Sequence, residues 1–385
     1  MGERTVVVLG GGVGGAVVAR ALRRRVPGGD RVILVDREPT HRFLPSALWL
    51  MTGARSPGQI TRDLRRLERR GIEVLLADVR EVDVAGRRLG ADALHVGFDR
   101  LVVAAGADLA PDAMPGFEEA AHSLYTFEGS LAAGRALRAF AGGRIVILVS
   151  SMPFKCPAAP YEAALLAEAM LRELGVRDLS TIDIYTPEPL PMPTAGPQVG
   201  EALKAVLAER GIGFHPEVAA VSIDAERRGV TLADGGFVPF DLLLGVPPHR
   251  PPEVVRESGL SGETGYVPVD AQTLATTVEG IFAIGDVTTI PIAGGKSLPK
   301  AGVFAHHQAK VVARRIADEL AGRKPTAEFD GSGSCFVATG DGKAAYASGR
   351  FYGGFPPPIR FHAPGRLWHL GKKVFERYWL GPWFW

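Results

Sequence analysis

Two cysteines, Cys156 and Cys335, are the only thiols in the 385-residue chain, and 179 positions separate them. A disulfide framework or a zinc cluster would need more cysteines at closer spacing, so we expect no metal site. Two interpretations of the thiols remain. They are either buried structural side chains or one redox pair, in which a thiolate and a disulfide exchange sulfur bonds.

A glycine-rich turn near the N-terminus can bind a dinucleotide. Gly10, Gly12 and Gly15 have the spacing Gly-x-Gly-x-x-Gly directly after the apolar segment Thr5–Leu9. Glycines allow a tight turn and a close approach of the backbone to a pyrophosphate, whose charge the N-terminus of the next helix stabilises. Asp36, 21 positions beyond Gly15, ends the next predicted strand and can accept hydrogen bonds from ribose hydroxyls. These features predict a nucleotide site rather than a structural turn.

Two later segments indicate which dinucleotide is bound. Ala105-Gly106 closes one apolar strand, and Gly285-Asp286 closes another. Both segments resemble the second and third FAD motifs of the two-dinucleotide-binding flavoproteins. The resemblance implies FAD, with the Asp286 carboxylate holding the ribityl chain. The alternative for Gly285-Asp286 is an ordinary turn.

The second strand–turn–helix unit departs from the pyridine-nucleotide reductases. The predicted strand Arg144–Ser150 is followed by residues 151–160, which include three prolines, Cys156 and no glycine. Prolines donate no N–H group to a pyrophosphate, and side chains prevent the close approach that glycine permits. NAD(P)H is therefore disfavoured as the reductant, and a cysteine stands near the place where a nicotinamide would bind.

The segments around the two cysteines resemble those of one family. Phe154–Glu162 is similar to the first redox-cysteine motif of the flavocytochrome c sulfide dehydrogenase and sulfide:quinone oxidoreductase flavoproteins, and Gly333–Ala338 is similar to the second. The resemblance extends from residue 5 to about residue 379. It implies that hydrosulfide attacks a Cys156–Cys335 disulfide, that Cys335 is the flavin-side sulfur, and that Cys156 is its outer partner.

Two charged residues near these motifs have candidate roles. Glu162, six positions after Cys156, is either a proton carrier or a surface acid at a helix start. Lys300 lies in Leu298–Gly302, which resembles the flavin-edge segment shared with the type II NADH dehydrogenases. It would stabilise the reduced flavin anion or orient a quinone oxygen, and the alternative is a solvated lysine at a helix start.

Two departures from the family pattern limit what the resemblance implies. Many sulfide:quinone oxidoreductases carry a third cysteine, but the corresponding segment Ala121–Gly129 has none. The length of the sulfur chain that is released therefore stays open. Some members bind FAD covalently through a cysteine near the position of His41–Pro45. Since no cysteine lies there, we expect non-covalent FAD.

These residues need a scaffold of alternating strands and helices. The order of apolar segments predicts an α/β fold with two Rossmann-like domains, of which the second interrupts the first. We expect an FAD-binding domain in residues 1–115 and 265–325. A second Rossmann-like domain in residues 116–264 would carry Cys156, and residues 326–385 would form a C-terminal quinone- and membrane-binding region.

The C-terminal tail predicts an amphipathic helix. One half of its helical projection is apolar and holds Leu367, Trp368, Leu370, Gly371, Val374, Phe375, Tyr378 and Trp379. The other half is polar and holds His369, Lys372, Lys373, Glu376 and Arg377. This pattern is typical of a helix that lies in a bilayer interface. We also expect the aromatic end Gly381–Trp385, including Trp383, to enter lipid; packing on the core or in a homo-oligomer is the alternative.

Composition and the tail indicate the electron acceptor. The net charge of +2 is too small to indicate nucleic-acid binding. No apolar run approaches the ~20 residues of a spanning helix, and Met1 leads almost directly into a strand without an export signal. We therefore expect a peripheral protein of the cell membrane that reduces membrane quinone. Phe336, Phe351 and Phe355 are candidates for an apolar quinone slot.

The predicted function is sulfide:quinone oxidoreduction, with sulfur or polysulfide as the product. A sulfide dehydrogenase that reduces cytochrome c is the nearest alternative, although in that family the flavoprotein is exported and needs no lipid anchor. A type II NADH dehydrogenase-like enzyme conflicts with the proline-rich loop. From a different class, a redox sensor would use the disulfide for signalling and would not turn over.

Overall fold

Strands and helices alternate along the chain, and the computed structural model describes residues 3–91, 94–382 and 384–385. The strands that position the site are β1 (Thr5–Leu9), β2 (Arg31–Asp36), β3 (Glu73–Leu76), β4 (Arg100–Val103), β5 (Ala121–Ser123), β6 (Gly143–Val149), β7 (Ser180–Tyr185), β8 (Ile212–His215), β9 (Leu242–Val246), β10 (Ile281–Ala283), β11 (Ser332–Gly340), β12 (Lys343–Arg350) and β13 (Ile359–Gly365). The longer helices are α1 (Val13–Arg23), α2 (Phe127–Arg138), α3 (Ala159–Glu173), α4 (Pro197–Glu209), α5 (Gly302–Leu320) and α6 (Arg366–Leu380).

Short elements fill the connections. Short α-helices span Leu48–Thr52, Phe117–Ala120 and Glu253–Arg256. Short strands span Thr40–Arg42, Thr61–Asp63, Glu81–Asp83, Arg88–Ala91, Leu94–Gly97, Asp108–Leu109, Ala220–Asp224, Gly229–Leu232, Phe237–Pro239, His249–Arg250, Val267–Pro268, Thr288–Thr289, Pro291–Ile292 and Lys296–Ser297.

The first sheet is parallel and has the strand order β10-β4-β1-β2-β3. The central strand β1 is apolar and almost entirely buried, as expected for a parallel strand that is covered on both faces. α1 packs on β1 and β2 and also against α5. Because the carboxyl ends of parallel strands meet at one edge, the segments after β1, β4 and β10 converge there.

The second sheet is also parallel and has the order β5-β9-β6-β7-β8. After β6 the chain forms a loop that contains Cys156 and then enters α3. Pro160 lies in the first turn of α3, where its missing N–H group costs no helical hydrogen bond. α3 is alanine-rich and almost entirely buried because it lies between this sheet and β11. The α/β architecture that the sequence predicts is confirmed.

The third sheet is antiparallel, with β12 between β11 and β13. Cys335 lies on β11 opposite Ala347, and Phe336 lies opposite Tyr346. α6 follows β13 directly and packs across β12. Among the residues that the structure describes, no helix combines the length and apolar character needed to cross a membrane.

Candidate active site

The glycine turn after β1 has the geometry of a phosphate-binding turn. Gly10 has a φ of +108°, and a Cβ atom there would lie 2.4 Å from the carbonyl oxygen of Ala104. A Cβ atom on Gly15 would lie 1.7 Å from the carbonyl oxygen of Gly10. At Gly12, a Cβ atom would meet no described atom within 4 Å, and no side chain caps the start of α1. The open space before this helix N-terminus fits a pyrophosphate.

Asp36 lies beside this turn, at the end of β2. Its carboxylate accepts hydrogen bonds from the backbone N–H groups of Gly11 and Glu38. Burial raises the pKa of Asp36, and the two N–H donors partly offset that effect. Asp36 therefore remains the candidate acceptor for ribose hydroxyls.

His41, on the short strand Thr40–Arg42, contacts the glycine turn, and the sequence interpretation missed this role. The indole N–H of Trp379 donates to Nε2 of His41 at 3.0 Å, so Nδ1 carries the proton and donates to the Gly11 carbonyl oxygen, also at 3.0 Å. Burial lowers the pKa of His41 to about 4, which keeps the ring neutral at physiological pH. One imidazole thus links the C-terminal helix to the glycine turn.

Gly285 and Asp286 follow β10 at the same sheet edge. Gly285 has a φ of +75°, and its N–H group donates to Oε1 of Gln308 at 2.8 Å. Oδ1 of Asp286 is buried and makes no hydrogen bond with a described residue. Burial raises the pKa of Asp286, and the ammonium groups of Lys155 and Lys300 act in the opposite direction. A buried carboxylate oxygen without a protein donor fits a ligand hydroxyl, such as one of a ribityl chain.

Lys300 is buried next to Asp286. Its Nζ donates to the carbonyl oxygens of Asp286 at 2.7 Å and of Thr288 at 3.0 Å, and it lies 3.4 Å from the centre of the Tyr266 ring. Burial lowers the pKa of Lys300 to about 8, while the Asp286 carboxylate opposes this shift. The interpretation of Lys300 as a solvated lysine is therefore wrong.

The loop between β6 and α3 brings Cys156 to this region. The N–H group of Cys156 donates to the Lys300 carbonyl oxygen at 2.7 Å, and the Tyr125 hydroxyl donates to the Cys156 carbonyl oxygen at 3.1 Å. Cys156 has a φ of +51°, a left-handed conformation that costs about 1–2 kcal/mol for a residue with a side chain. Nζ of Lys155 donates to the Ala107 carbonyl oxygen at 3.0 Å. These contacts hold the loop against the segments that follow β4 and β10.

Both cysteines are free thiols in the structure. Solvent reaches Cys156, but protein crowds its other sides, and Cys335 is half-buried. Desolvation raises the pKa of both thiols, that of Cys335 to about 12. Cys335 also raises the pKa of Cys156, and Lys372 lowers the pKa of both. The two thiols thus share one electrostatic environment, and the disulfide between them stays a prediction.

Glu162 and Lys372 form a buried ion pair beside the thiols. Nζ of Lys372 donates to Oε1 of Glu162, and the two side chains are 7% and 6% exposed. The Lys372 ammonium also lies 5.1 Å from the centre of the Trp49 ring. The interpretation of Glu162 as a surface acid is therefore wrong. Because loss of either partner would leave a buried charge, the pair ties α6 firmly to α3.

The two faces of α6 differ from the predicted projection. The outward stripe is apolar and exposed, and it consists of Leu367, Leu370, Val374 and Tyr378. Lys372 and Glu376, assigned to the polar half, are instead buried against the protein. Glu376 accepts from the Ser46 hydroxyl and from Nε of Arg55, the latter at 2.8 Å. Their assignment to an outward polar face is therefore wrong. Side chains from distant parts of the sequence, Glu162 for Lys372 and Arg55 for Glu376, pair with them in the folded protein.

The aromatic C-terminal end is buried in the protein. Trp379, Phe384 and Trp385 are 1%, 8% and 5% exposed, and the Arg20 guanidinium lies 4.9 Å from the Phe384 ring centre. The indole N–H of Trp385 donates to the Trp379 carbonyl oxygen at 3.0 Å. The expectation that this end enters lipid is wrong for Phe384 and Trp385, because Phe384 packs on Trp379 at 4.8 Å and Trp385 packs on His41 at 4.9 Å between ring centres. Trp383 lies outside the described residues.

The three candidate quinone residues do not lie together. Phe336 is half-buried, with its ring centre 4.7 Å from that of Tyr346. Phe351 packs edge-to-face on Phe304 at 5.1 Å within the core. It directly follows β12 and lies five positions beyond Tyr346, the residue opposite Phe336. Phe355 is exposed. Of the three, Phe336 is the residue adjacent to Cys335 and to α6, where it lies against Gly371.

The second strand–turn–helix unit is filled by protein side chains. Tyr161, in the first turn of α3, is buried and donates its hydroxyl to Oε2 of Glu188. The Thr186 hydroxyl donates to the same oxygen at 3.2 Å. Burial raises the pKa of Glu188 to about 7. Side chains therefore occupy the space between the start of α3 and the end of β7.

Besides His41, the sequence interpretation missed the site roles of Lys155, Tyr125 and Lys372. Lys155 directly precedes Cys156 in a mostly apolar loop, and this position was an available signal. Tyr125 lies 31 positions from Cys156, and Lys372 lies 210 positions from Glu162. No local pattern could have linked these pairs.

The chain belongs to the pyridine nucleotide-disulphide oxidoreductase family, whose model matches residues 4–309. It is similar to the mitochondrial sulfide:quinone oxidoreductase of Mus musculus, with 25% identity over 348 residues that cover 87% of this chain and 75% of the relative. The sulfide-quinone reductase of Aquifex aeolicus is 27% identical, with coverage of 97% and 90%.

A solved structure supports the same relationship. The X-ray structure of the sulfide:quinone oxidoreductase from Aquifex aeolicus matches with a TM-score of 0.88 and 26% identity, covering 98% of this chain and 91% of that one. The predicted resemblance is therefore confirmed, and the chain is an FAD-dependent oxidoreductase. The open glycine turn and the unpartnered oxygen of Asp286 fit this cofactor.

Proposed function

We propose that this chain oxidises hydrosulfide and passes the electrons through FAD to a membrane quinone. The placement of the two cysteines carries the proposal. The Cys156 loop is bonded to the Lys300 segment of the cofactor site, and the Glu162–Lys372 pair acts on both thiols. Relatives named as sulfide:quinone oxidoreductases in Mus musculus and Dictyostelium discoideum align over 87% and 90% of the chain, which supports the same substrates.

The sulfide half-reaction uses both sulfur atoms. In the oxidised enzyme, Cys156 and Cys335 form a disulfide. Hydrosulfide attacks the solvent-accessible sulfur of Cys156; the S–S bond breaks, Cys156 becomes a persulfide, and Cys335 leaves as a thiolate on the flavin side. Bound FAD supplies the two-electron acceptor and donor chemistry. Overall, hydrosulfide, quinone and one proton give sulfane sulfur and quinol, and the sulfur leaves as sulfur or polysulfide.

The charged residues stabilise the anions and move the protons of this reaction. Burial and the Glu162 carboxylate raise the pKa of Cys335, and the Lys372 ammonium opposes that shift, so Lys372 is the group of this pair that favours the thiolate. Glu162, hydrogen-bonded to Lys372, is positioned to accept and return the proton of hydrosulfide. Lys300, held by two carbonyl oxygens, supplies positive charge beside the cofactor site.

The acceptor side of the proposal rests on α6. Its exposed stripe would lie on the membrane surface, where burial of its four apolar side chains contributes on the order of several kcal/mol. The opposite face of the same helix carries Lys372, which contacts Glu162 beside the thiols. The lipid interface would then lie about one helix diameter, ~10 Å, from the active site. The chain would be a peripheral protein of the cell membrane, and Phe336 would border the quinone.

We also propose the domain division and the mode of cofactor binding that the sequence predicts. Strands β1 to β4 and β10 fall in residues 1–115 and 265–325, and β5 to β9 fall in residues 116–264, which supports that division. The absence of a cysteine in His41–Pro45 supports non-covalent FAD. Acid denaturation should release the FAD into solution, and flavin that precipitated with the polypeptide would contradict this mode.

Anaerobic stopped-flow mixing tests the function. Hydrosulfide should bleach the flavin absorbance of the holoenzyme, a short-chain quinone should restore it, and NADH should leave the oxidised spectrum unchanged. Bleaching by NADH would instead favour a type II NADH dehydrogenase-like enzyme. Reoxidation by cytochrome c but not by quinone would favour a sulfide dehydrogenase, and bleaching without reoxidation would favour a redox sensor.

Membrane attachment needs a separate test on the outward stripe of α6. Removing the chain after Pro364 would also remove the buried Lys372 and Trp379, so truncation cannot isolate attachment from chemistry. A Leu370→Ser/Val374→Ser double variant should bind vesicles more weakly and lose turnover with long-tailed quinones, while keeping turnover with short ones. Leu179→Ser changes a leucine outside α6 that is more exposed than Leu370, and it is the control. Equal vesicle binding by the double variant and the wild type would refute the anchor.

A further inference from the structure

Lys155 connects the cysteine loop to the cofactor site by a side-chain contact. Its Nζ donates to the Ala107 carbonyl oxygen at 3.0 Å, across 48 positions of sequence. Ala107 directly follows the Ala105-Gly106 segment after β4. The hydrogen-bond acceptor is a neutral carbonyl group, so this contact does not neutralise the positive charge of Lys155.

The charges around Asp286 give the cofactor site an excess of one positive charge. Lys155 and Lys300 both act on the Asp286 carboxylate, so two ammonium groups oppose one carboxylate. His249 adds no charge at physiological pH, because burial and the two lysines lower its pKa to about 3. Asp108 also acts on the Lys155 ammonium, but it pairs with Arg37 at 3.5 Å, so including both groups leaves the excess of one positive charge unchanged.

We propose that Lys155 is a positioning residue of the flavin site, which raises the reduction potential of FAD by its charge and holds the Cys156 loop against Ala107 by its hydrogen bond. Two-electron reduction adds negative charge to a flavin. A fixed cation in a poorly solvated site stabilises added negative charge more strongly than it would in water. The inference rests on the FAD site and does not depend on sulfide as the electron donor.

Three substitutions separate the two effects of Lys155. Lys155→Gln removes the charge but keeps an N–H donor, Lys155→Met removes both, and Lys155→Arg keeps both. Lys324→Gln is the control for loss of a lysine charge. Lys324 is exposed and lies beyond the far end of α5, which spans 19 residues and therefore about 28 Å.

The reduction potential tests the charge. The holoenzymes are reduced enzymatically in the presence of reference dyes, without sulfide, so failure of the sulfide chemistry would not affect the result. Lys155→Gln and Lys155→Met should each make two-electron reduction about tenfold less favourable, a fall of about 30 mV. Lys155→Arg and Lys324→Gln should match the wild type. Loss of FAD from Lys155→Gln but not from Lys155→Arg would also support the role of the Lys155 charge. Wild-type reduction potentials in both Lys155→Gln and Lys155→Met would overturn that role.

Alkylation of Cys156 tests the hydrogen bond. In the reduced holoenzyme, iodoacetamide should modify Cys156 several-fold faster in Lys155→Met than in Lys155→Gln, because the loop of the Met variant has lost its contact with Ala107. Peptide mass spectrometry assigns the modified residue. Equal rates in the two variants would overturn the positioning role, whatever the potentials show.

Discussion

Two strand–turn–helix units in this chain start alike and differ in the segment between strand and helix. After β1, glycines leave open space before α1, and Asp36 ends the next strand with its carboxylate on the turn amide of Gly11. After β6, a loop with prolines places Cys156 at the sheet edge, and Tyr161 with Glu188 fills the region before α3. The same scaffold thus offers free backbone donors in one unit and a thiol in the other.

The difference shows how a nucleotide-type unit can be converted into a reaction site. In the first unit, a side chain at Gly10 or Gly15 would collide with backbone carbonyl oxygens, so the sequence there is fixed by the turn. The second loop has no such glycines, and contacts from elsewhere in the chain hold it. The Cys156 N–H group donates to the Lys300 carbonyl oxygen, and the Tyr125 hydroxyl donates to the Cys156 carbonyl oxygen. The conformation of the first turn therefore depends on local sequence, and the conformation of the second loop depends on tertiary contacts.

The largest expected effect comes from the thiols of the second unit. Cys156→Ser and Cys335→Ser should each reduce sulfide-driven flavin bleaching to background, because a hydroxyl group cannot form the disulfide that hydrosulfide attacks. FAD content should stay at the wild-type level, because the glycine turn and Asp286 are unchanged. Stopped-flow absorbance and the flavin-to-protein ratio measure the two quantities. Wild-type bleaching by either variant would eliminate the disulfide mechanism.

The next largest effect is on folding stability and comes from the buried pair beside the thiols. Glu162→Gln should lower the free energy of unfolding by about 3–5 kcal/mol, because it leaves the Lys372 ammonium buried without its partner. Glu162→Gln/Lys372→Met should recover part of that loss. Glu73→Gln breaks the exposed Arg31–Glu73 pair of the first sheet and should cost no more than about 1 kcal/mol. Denaturant unfolding compares them, and equal losses at both pairs would contradict the proposed burial.

Sequence patterns predicted the parts of the fold that local periodicity determines. The predicted strand Thr5–Leu9 is β1 with the same bounds, and the predicted strand Arg144–Ser150 differs from β6 by one residue at each end. Helical periodicity also predicted the apolar half of α6, in which Leu370 and Val374 are exposed but Trp379 is buried. It could not show which side of α6 meets the protein, since that depends on Glu162 and Arg55, far away in the chain.

The same limit explains the errors at the site. Lys372 was assigned to solvent because a lysine in a local pattern is usually solvated, whereas a buried carboxylate 210 positions away pairs with it. The aromatic end was assigned to lipid because no local pattern reveals that His41 and Arg20, far away in the chain, contact Trp385 and Phe384. Motifs with fixed local geometry transfer from sequence to structure, and long-range ion pairs do not.

A smaller effect is expected in the pH dependence of stability at Glu188. Burial raises its folded pKa from 4.5 to about 7, so between these values the folded chain binds more protons than the unfolded chain. Glu188 therefore favours the folded state most below pH 4.5, and that contribution is lost as the pH rises to about 7, by up to ~3 kcal/mol. Glu188→Gln should flatten the dependence. Urea unfolding at pH 5 and pH 8 measures the free energy of unfolding at each pH. An equal change between the two pH values in the wild type and in Glu188→Gln would contradict this account.

The smallest expected effect is on FAD affinity and tests the open turn of the first unit. A Cβ atom at Gly12 would meet no described atom within 4 Å, so Gly12→Ala should leave the circular dichroism of the apoprotein unchanged. The added methyl group would nevertheless occupy space that a pyrophosphate needs for close contact with the backbone. The dissociation constant of FAD should therefore rise by roughly tenfold, which corresponds to about 1.4 kcal/mol.

Ala158→Gly makes the reverse change before α3. It should neither weaken FAD binding nor create NADH binding, because Tyr161 and Glu188 still fill the second unit. Isothermal titration of the apoprotein measures the binding of both ligands. NADH binding by Ala158→Gly would show that Tyr161 and Glu188 do not close the second unit.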